Sequence, residues 1–162
     1  MSRRIGPVAL AGLALALAVA VGLLPRQAVV TVTGADGRPV AAASLPASGR
    51  FELRYRHSYY GAEAVEWFQA APEGGFRLVA VGSPSQAVLD YYGLAGRVRR
   101  DGGWLRLELG EPQQFERLPI IATGLGRRTL VVGGSATPLA APGGRPAHLT
   151  LDVRRHARLR FP

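Results

Sequence analysis

The chain has 162 residues and a formal charge of +9, from 20 basic and 11 acidic side chains; every basic residue is an arginine and the only methionine is Met1. It contains no cysteine, which excludes disulfides, thiolate nucleophiles, cysteine-ligated zinc, iron–sulfur clusters and a lipidated-cysteine anchor. Lysine is absent too, so Schiff-base and P-loop chemistry are excluded.

In chain order, Ser2-Arg3-Arg4 is followed by Ile5 to Leu24, an uncharged run rich in Ala, Leu and Val. As a helix rising about 1.5 Å per residue, this run covers about 30 Å, the hydrocarbon thickness of a bilayer. The expectation is an N-terminal transmembrane helix: a signal anchor over residues 1–26 that crosses the cytoplasmic membrane through residues 5–24. The alternative is a cleaved secretory signal, but the segment after Leu24 reads Pro25-Arg26-Gln27-Ala28, with an arginine where a cleavage site has a small residue. Two arginines precede the run and one follows it, which keeps the N-terminus inside. Both readings place residues 27–162 outside: either a single-pass protein of the cell membrane with an extracytoplasmic C-terminal domain, or a secreted protein once the signal is removed.

Residues 27–162 have the length of one domain and must hold together by a core alone. Short apolar or alternating runs separated by Gly and Pro predict antiparallel strands. Ala28 to Thr33 is β-branched, and Gly34-Ala35-Asp36-Gly37 turns it toward Pro39 to Ala43. Phe51, Leu53, Tyr55 and His57 alternate with Glu52, Arg54, Arg56 and Ser58, a period of two. Ala64 to Gln69 and Phe76 to Val81 follow. Arg97 to Arg99 and Trp104 to Leu109 flank Asp101-Gly102-Gly103, a hairpin signal. Leu118 to Ala122, Arg128 to Val132 and His148 to Val153 supply further strands, with Ala157 to Phe161 a candidate last one. Ser83-Pro84-Ser85-Gln86 breaks the pattern with a cap, a proline at the first helical position and a glutamine three residues after the cap. Val88, Leu89 and Tyr92 then sit at helical spacing. The fold class expected is all-β, an antiparallel β-sandwich or small barrel, with one short helix from Pro84 to Tyr92 packed across one end.

The most unusual local sequence runs Arg56-His57-Ser58-Tyr59-Tyr60-Gly61-Ala62-Glu63-Ala64-Val65-Glu66-Trp67. A strand ends in His-Ser and returns as Val-Glu-aromatic. Tyr55, His57 and Ser58, with Val65, Glu66 and Trp67, resemble the bacterial domain-of-unknown-function family 1850, in which a strand ending Tyr-x-His-Ser is followed by such a return strand. The glycine-rich stretch that this family has after its third strand is represented here only by Gly82-Ser83-Pro84-Ser85. The resemblance implies a small exported or membrane-tethered protein of a kind often encoded beside TRAP-type solute transporters of the TAXI kind, and no enzymatic activity is part of it; no cofactor is expected.

The register of this hairpin decides its chemistry, because a shift of one residue moves every side chain to the other face. With Tyr60-Gly61 as the loop, Tyr55 stands opposite Glu66 and His57 opposite Ala64 on one face, where the carboxylate orients the imidazole. With Tyr60-Gly61-Ala62 as the loop, Arg56 faces Glu66 outside and Tyr55 faces Trp67 inside, which makes Val65 and Trp67 core residues.

Several chemistries can be weighed on these residues. A Ser–His hydrolase is disfavoured, since neighbouring residues on a strand point to opposite faces and no G-x-S-x-G elbow occurs. A metal site from His57, Glu63 or Glu66 with His148 or His156 lacks any His-x-x-x-His spacing, and no metal is expected. The candidate ligand-binding residues are therefore Tyr55, His57, Ser58 and Glu66, as a polar cluster at a strand end. Arg154, Arg155, Arg158 and Arg160 form a candidate basic surface suited to anionic lipid headgroups or an acidic partner. A membrane span argues against nucleic acid as the partner. The function expected is a non-catalytic, membrane-anchored extracytoplasmic accessory or interaction module associated with a TRAP-type transporter; the alternative is a periplasmic small-ligand or metal-binding protein that uses the His/Glu cluster.

Overall fold

Alternation of apolar and polar residues recurs through most of the chain, and strands follow from it. The computed structural model describes residues 26–139 and 145–157. Eleven strands are present among them: β1 (Arg26–Gly34), β2 (Pro39–Ser44), β3 (Arg50–Arg56), β4 (Glu63–Ala70), β5 (Phe76–Ser83), β6 (Gly96–Asp101), β7 (Trp104–Phe115), β8 (Arg117–Ala122), β9 (Thr129–Val132), β10 (Ser135–Pro138) and β11 (Ala147–Ala157). One helix, α1 (Gln86–Tyr92), lies between β5 and β6. The pairings are antiparallel and form a four-stranded sheet in the order β2-β1-β11-β8 and a seven-stranded sheet in the order β10-β9-β3-β4-β5-β7-β6. Val30, Val32, Leu149 and Leu151 of the first sheet share one hydrophobic cluster with Phe51, Leu53, Phe68, Phe76 and Leu107 of the second. The fold is thus all-β, with two sheets facing each other across a common core as in a β-sandwich.

Two connections set the shape. Glu116 alone separates β7 in the large sheet from β8 in the small one, so a single chain turn carries the backbone from one sheet to the other. Asp101 pairs with Trp104 across a two-residue loop in which Gly102 (φ 52°) and Gly103 (φ 85°) are both left-handed, the hairpin geometry that glycine permits. The same device at Gly133-Gly134 joins β9 to β10, a strand that the sequence reading does not include.

The ends of the molecule can be told apart by two contacts. Arg155 Nε donates to the carbonyl of Ala71 (3.3 Å), which puts the β4–β5 turn at the end where Arg26 pairs with Ala157. At the opposite end Arg56 N–H donates to the carbonyl of Gly126 (2.7 Å), tying the β3–β4 loop to the turn between β8 and β9. Arg26 and the β3–β4 loop are therefore at opposite ends.

Several expectations are corrected. The β3–β4 hairpin adopts neither expected register: Leu53 pairs with Glu66, Tyr55 with Ala64 and Arg56 with Glu63. The loop is wider, with His57 N–H donating to the Ala62 carbonyl (2.7 Å) and Gly61 N–H to the His57 carbonyl (2.7 Å), because the backbone around His57 closes a four-residue turn over Ser58 to Gly61. The shift of two from the first register keeps its parity, so Tyr55, His57 and Glu66 share the inner face, while Val65 and Trp67 lie on the outer face. The helix starts at Gln86 rather than Pro84, since Ser83 is fully buried at the end of β5 and its hydroxyl donates to the Glu63 carbonyl (2.7 Å) while accepting the Ser85 N–H (3.1 Å). The candidate last strand begins within β11, which extends to Ala157; residues 158–162 lie outside the described residues. So does the expected anchor, save its last residue, and among the described residues no helix is long and apolar enough to cross a membrane.

Candidate functional site

Along β3 the inward side chains change character: Phe51 and Leu53 are fully buried and apolar, Tyr55 is half-buried, and His57 just beyond the strand is buried but polar. β4 runs antiparallel and places Glu66 after Phe68 on the same inward face, with the small, buried Ala64 beyond it. The polar ends of both strands meet at the end of the sandwich remote from Arg26. Helix α1 packs over them. Val88 and Leu89 face the core, Tyr92 one turn later reaches the polar residues, and Tyr91 on the neighbouring position stays exposed.

Tyr92 Oη donates to Glu66 Oε1 (2.8 Å), and Tyr55 Oη in turn donates to Tyr92 Oη, so two phenols run as a chain into one carboxyl group. Such a chain strengthens each member by polarising the next. Burial pushes the Glu66 carboxyl above the usual carboxylate range, against the opposing pull of Arg128 and of both phenols. Burial and then the Glu66 charge hold Tyr55 and Tyr92 far above the ordinary phenol range, so both remain protonated donors. The Arg128 guanidinium lies over the Tyr55 ring, 4.6 Å from its centroid, a cation–π contact beside the carboxyl group.

His57 belongs to a second, aromatic layer. Its ring is edge-on to Tyr91 (4.8 Å between centroids) and tilted against Tyr60 (5.2 Å), and its Nδ1 accepts a long hydrogen bond from Tyr60 N–H (3.4 Å). Glu66 thus shares a face with His57 but spends its hydrogen bond on Tyr92. Ser58 is exposed, and among the described residues no hydrogen bond joins it to His57. All four expected ligand residues, Tyr55, His57, Ser58 and Glu66, line one open cleft of about 610 Å³, together with Tyr92 and Arg128. Tyr59 (81%), Tyr91 (67%) and Ile121 (54%) line it and expose large apolar surface, and Leu125 (83%) does so in the adjoining turn between β8 and β9.

Sequence reasoning does not reach Tyr60, Tyr91, Tyr92 and Arg128. The helical spacing already aligns Tyr92 with Val88 and Leu89 and so aims it inward, but the carboxyl group it meets is more than twenty residues away in sequence. Arg128 comes beside Tyr55 only because β9 pairs with β3. The other histidines do not line the cleft: His148 pairs with Ile121 at its mouth, and His156 pairs with Gln27 at the far end. No group of three metal-ligating side chains occurs among the described residues. Of the basic surface, Arg154 ion-pairs with Asp152 (3.5 Å) and Arg155 bonds the Ala71 carbonyl, on opposite faces of β11 at the end where Arg26 lies; Arg158 and Arg160 are outside the described residues.

No family model, curated protein or solved structure matches this chain.

Proposed function

We propose that the chain is a non-catalytic accessory module of β-sandwich architecture, anchored in the cytoplasmic membrane by residues 5–24, that presents its tyrosine-rich end to a partner outside. The partner proposed is the membrane subunit of a TRAP-type solute transporter, a reading that the resemblance around His57-Ser58 and Val65-Glu66-Trp67 supports. The observation that carries the docking function is the exposure of Tyr59, Tyr91, Ile121 and Leu125 at the end remote from Arg26. Exposed aromatic and apolar side chains grouped around a rigid base are the composition of protein-binding hot spots. The base here is rigid because α1 is tied to β3 and β4 through Tyr92, Tyr55 and Glu66. An anchor before Arg26 holds that end near the membrane, where Arg154 and Arg155 also lie, and directs the tyrosines away from it. Co-purification from membranes tests the reading: the full chain is expected to bring down the transporter subunit, and the Tyr59→Ser, Tyr91→Ser double variant is expected to lose it while folding normally. Retention of the subunit by that variant contradicts the docking face.

A second reading, a small organic ligand in the cleft, is favoured by the Glu66–Tyr92–Tyr55 chain standing beside Arg128, which offers an acceptor and a cation at one opening. A thermal shift with organic acids that Glu66→Gln abolishes supports it, and absence of any shift removes it.

A further inference from the structure

The outer face of the seven-stranded sheet carries a second concavity, unrelated to the tyrosine end in its chemistry. It is a groove of about 930 Å³ lined by Arg54, Arg56, Arg106, Arg127, Trp67 and Trp104. We propose that this groove is a binding site for a small, soluble organic anion that joins a carboxylate to a planar apolar body.

The floor is built for an apolar body. Trp67 lies on the solvent side of β4, yet its ring is fixed from both faces. Against it is Gly82, where any added Cβ would stand 2.7 Å from two ring atoms, so a side chain there would push the indole from its place. Above it the Arg106 guanidinium sits 4.2 Å from the ring centroid. Val65, on the same outer face, is buried, which extends the apolar floor toward β3. Trp104 is half-buried and forms the wall at the tip of the β6–β7 hairpin.

The rim is built for an anion. Four guanidinium groups line the groove against two carboxyl groups, Glu63 and Asp101. Arg54 is committed to Glu52 (2.7 Å), and Arg106 approaches Glu108 only to 3.9 Å. Arg106 Nε is buried and has no hydrogen-bond partner among the described residues, so this cation is under-satisfied where it stands. Arg56 spends Nε on the Gly61 carbonyl (2.8 Å), and neither it nor Arg127 forms an ion pair among the described residues.

Arg127 is the one non-glycine residue with positive φ (45°) among the described residues. A left-handed arginine persists only where its surroundings impose it. Here the turn is fixed by Gly126 N–H on Thr123 Oγ1 (2.9 Å), Arg127 N–H on the Thr123 carbonyl (3.2 Å) and Arg56 N–H on the Gly126 carbonyl. The consequence is that Arg127 is presented at the groove with its backbone held. Guanidinium forks match carboxylates in geometry, and a planar body complements the part-exposed indole of Trp104, since Gly82 and Arg106 already cover Trp67. The groove's arginine end adjoins the β3–β4 loop, remote from Arg26, so a soluble acid reaches it more readily than the headgroups around an anchor placed before Arg26.

Trp67 and Trp104 are the two tryptophans of the chain, so fluorescence excited selectively at tryptophan reads this groove. The test titrates the full chain in neutral detergent with benzoate, benzamide and inorganic phosphate, and separately with vesicles containing phosphatidylglycerol. The expected result is a saturable change with benzoate only, with the half-saturating concentration raised at least tenfold in Arg127→Asn, which tolerates the left-handed backbone, and in Arg106→Gln. The Tyr59→Ser, Tyr91→Ser variant is expected to respond as the wild type does, which separates this site from the docking face. Circular dichroism melting identifies a variant that fails to fold, and the other then carries the comparison. An equal response to benzamide, an equal response to phosphate, a response unchanged in the folded variants, a response confined to anionic vesicles, or no saturable response overturns the proposal.

Discussion

β3 and β4 pair without interruption from Arg50↔Gln69 to Arg56↔Glu63, yet the two ends of this one ladder are different materials. At the end toward Arg26, Phe51 stacks on Phe68 (5.2 Å), and Phe76 and Phe115 complete a cluster with centroids 5.5–6.5 Å apart. At the other end the same inner face carries Tyr55, His57 and Glu66 with Tyr92 laid across them. Phenylalanine closes a sandwich because nothing in it requires water. Tyrosine, histidine and glutamate need partners, and satisfying them with each other leaves a cleft and an exposed aromatic rim. One end is a closed core and the other is left open, as the proposed docking face requires.

That contrast can be broken by substitution. Phe68→Ala has the largest expected effect, a loss of about 3–5 kcal/mol in denaturant unfolding, since it opens a cavity inside the phenylalanine cluster. A loss no greater than that of Tyr91→Ala would show the two ends to be equally structural. Tyr92→Phe comes next, at about 1–3 kcal/mol, because it leaves both the Glu66 carboxyl and the Tyr55 hydroxyl without the phenol that joins them.

Glu66→Gln is sharper because its sign depends on pH. Burial raises the folded carboxyl group above its unfolded value of 4.5, so Glu66 favours the fold at low pH and this contribution is lost as pH rises through the folded value. Glutamine has no such loss. The variant's melting temperature is expected to gain on the wild type as the pH rises above the unfolded carboxyl value of 4.5. The opposite slope would mean that Arg128 outweighs burial. Tyr59→Ser is the smallest, within about 0.5 kcal/mol of wild type, as its side chain is 81% exposed.

Much of the fold is legible in the sequence, because period-two alternation and glycine turns are local. Phe51 to His57 reads as a strand from its own residues, and Asp101-Gly102-Gly103 names its hairpin. The short helix is legible as well, though Ser83 starts it late by remaining buried in β5. The hairpin register is not, because both expected loops are tighter than the turn that His57 and Ala62 close across four residues. Parity is what the chemistry needed, and one of the two expected registers has it: Tyr55, His57 and Glu66 share a face. The site's remaining members are legible only from the pairing of distant strands. Arg128 reaches Tyr55 through the β9–β3 pairing, and Arg127 reaches the outer groove through a turn whose partner is β3.

The central claim is that the tyrosine end, and not the end near Arg26, meets the partner. A photo-crosslinking residue placed at Tyr59 and, separately, at Glu73 in the exposed β4–β5 turn compares the two ends in the full chain in its membrane. An adduct with the transporter's membrane subunit from position 59 and none from position 73 is the predicted result; adducts from position 73 alone, from both alike, or from neither contradict it.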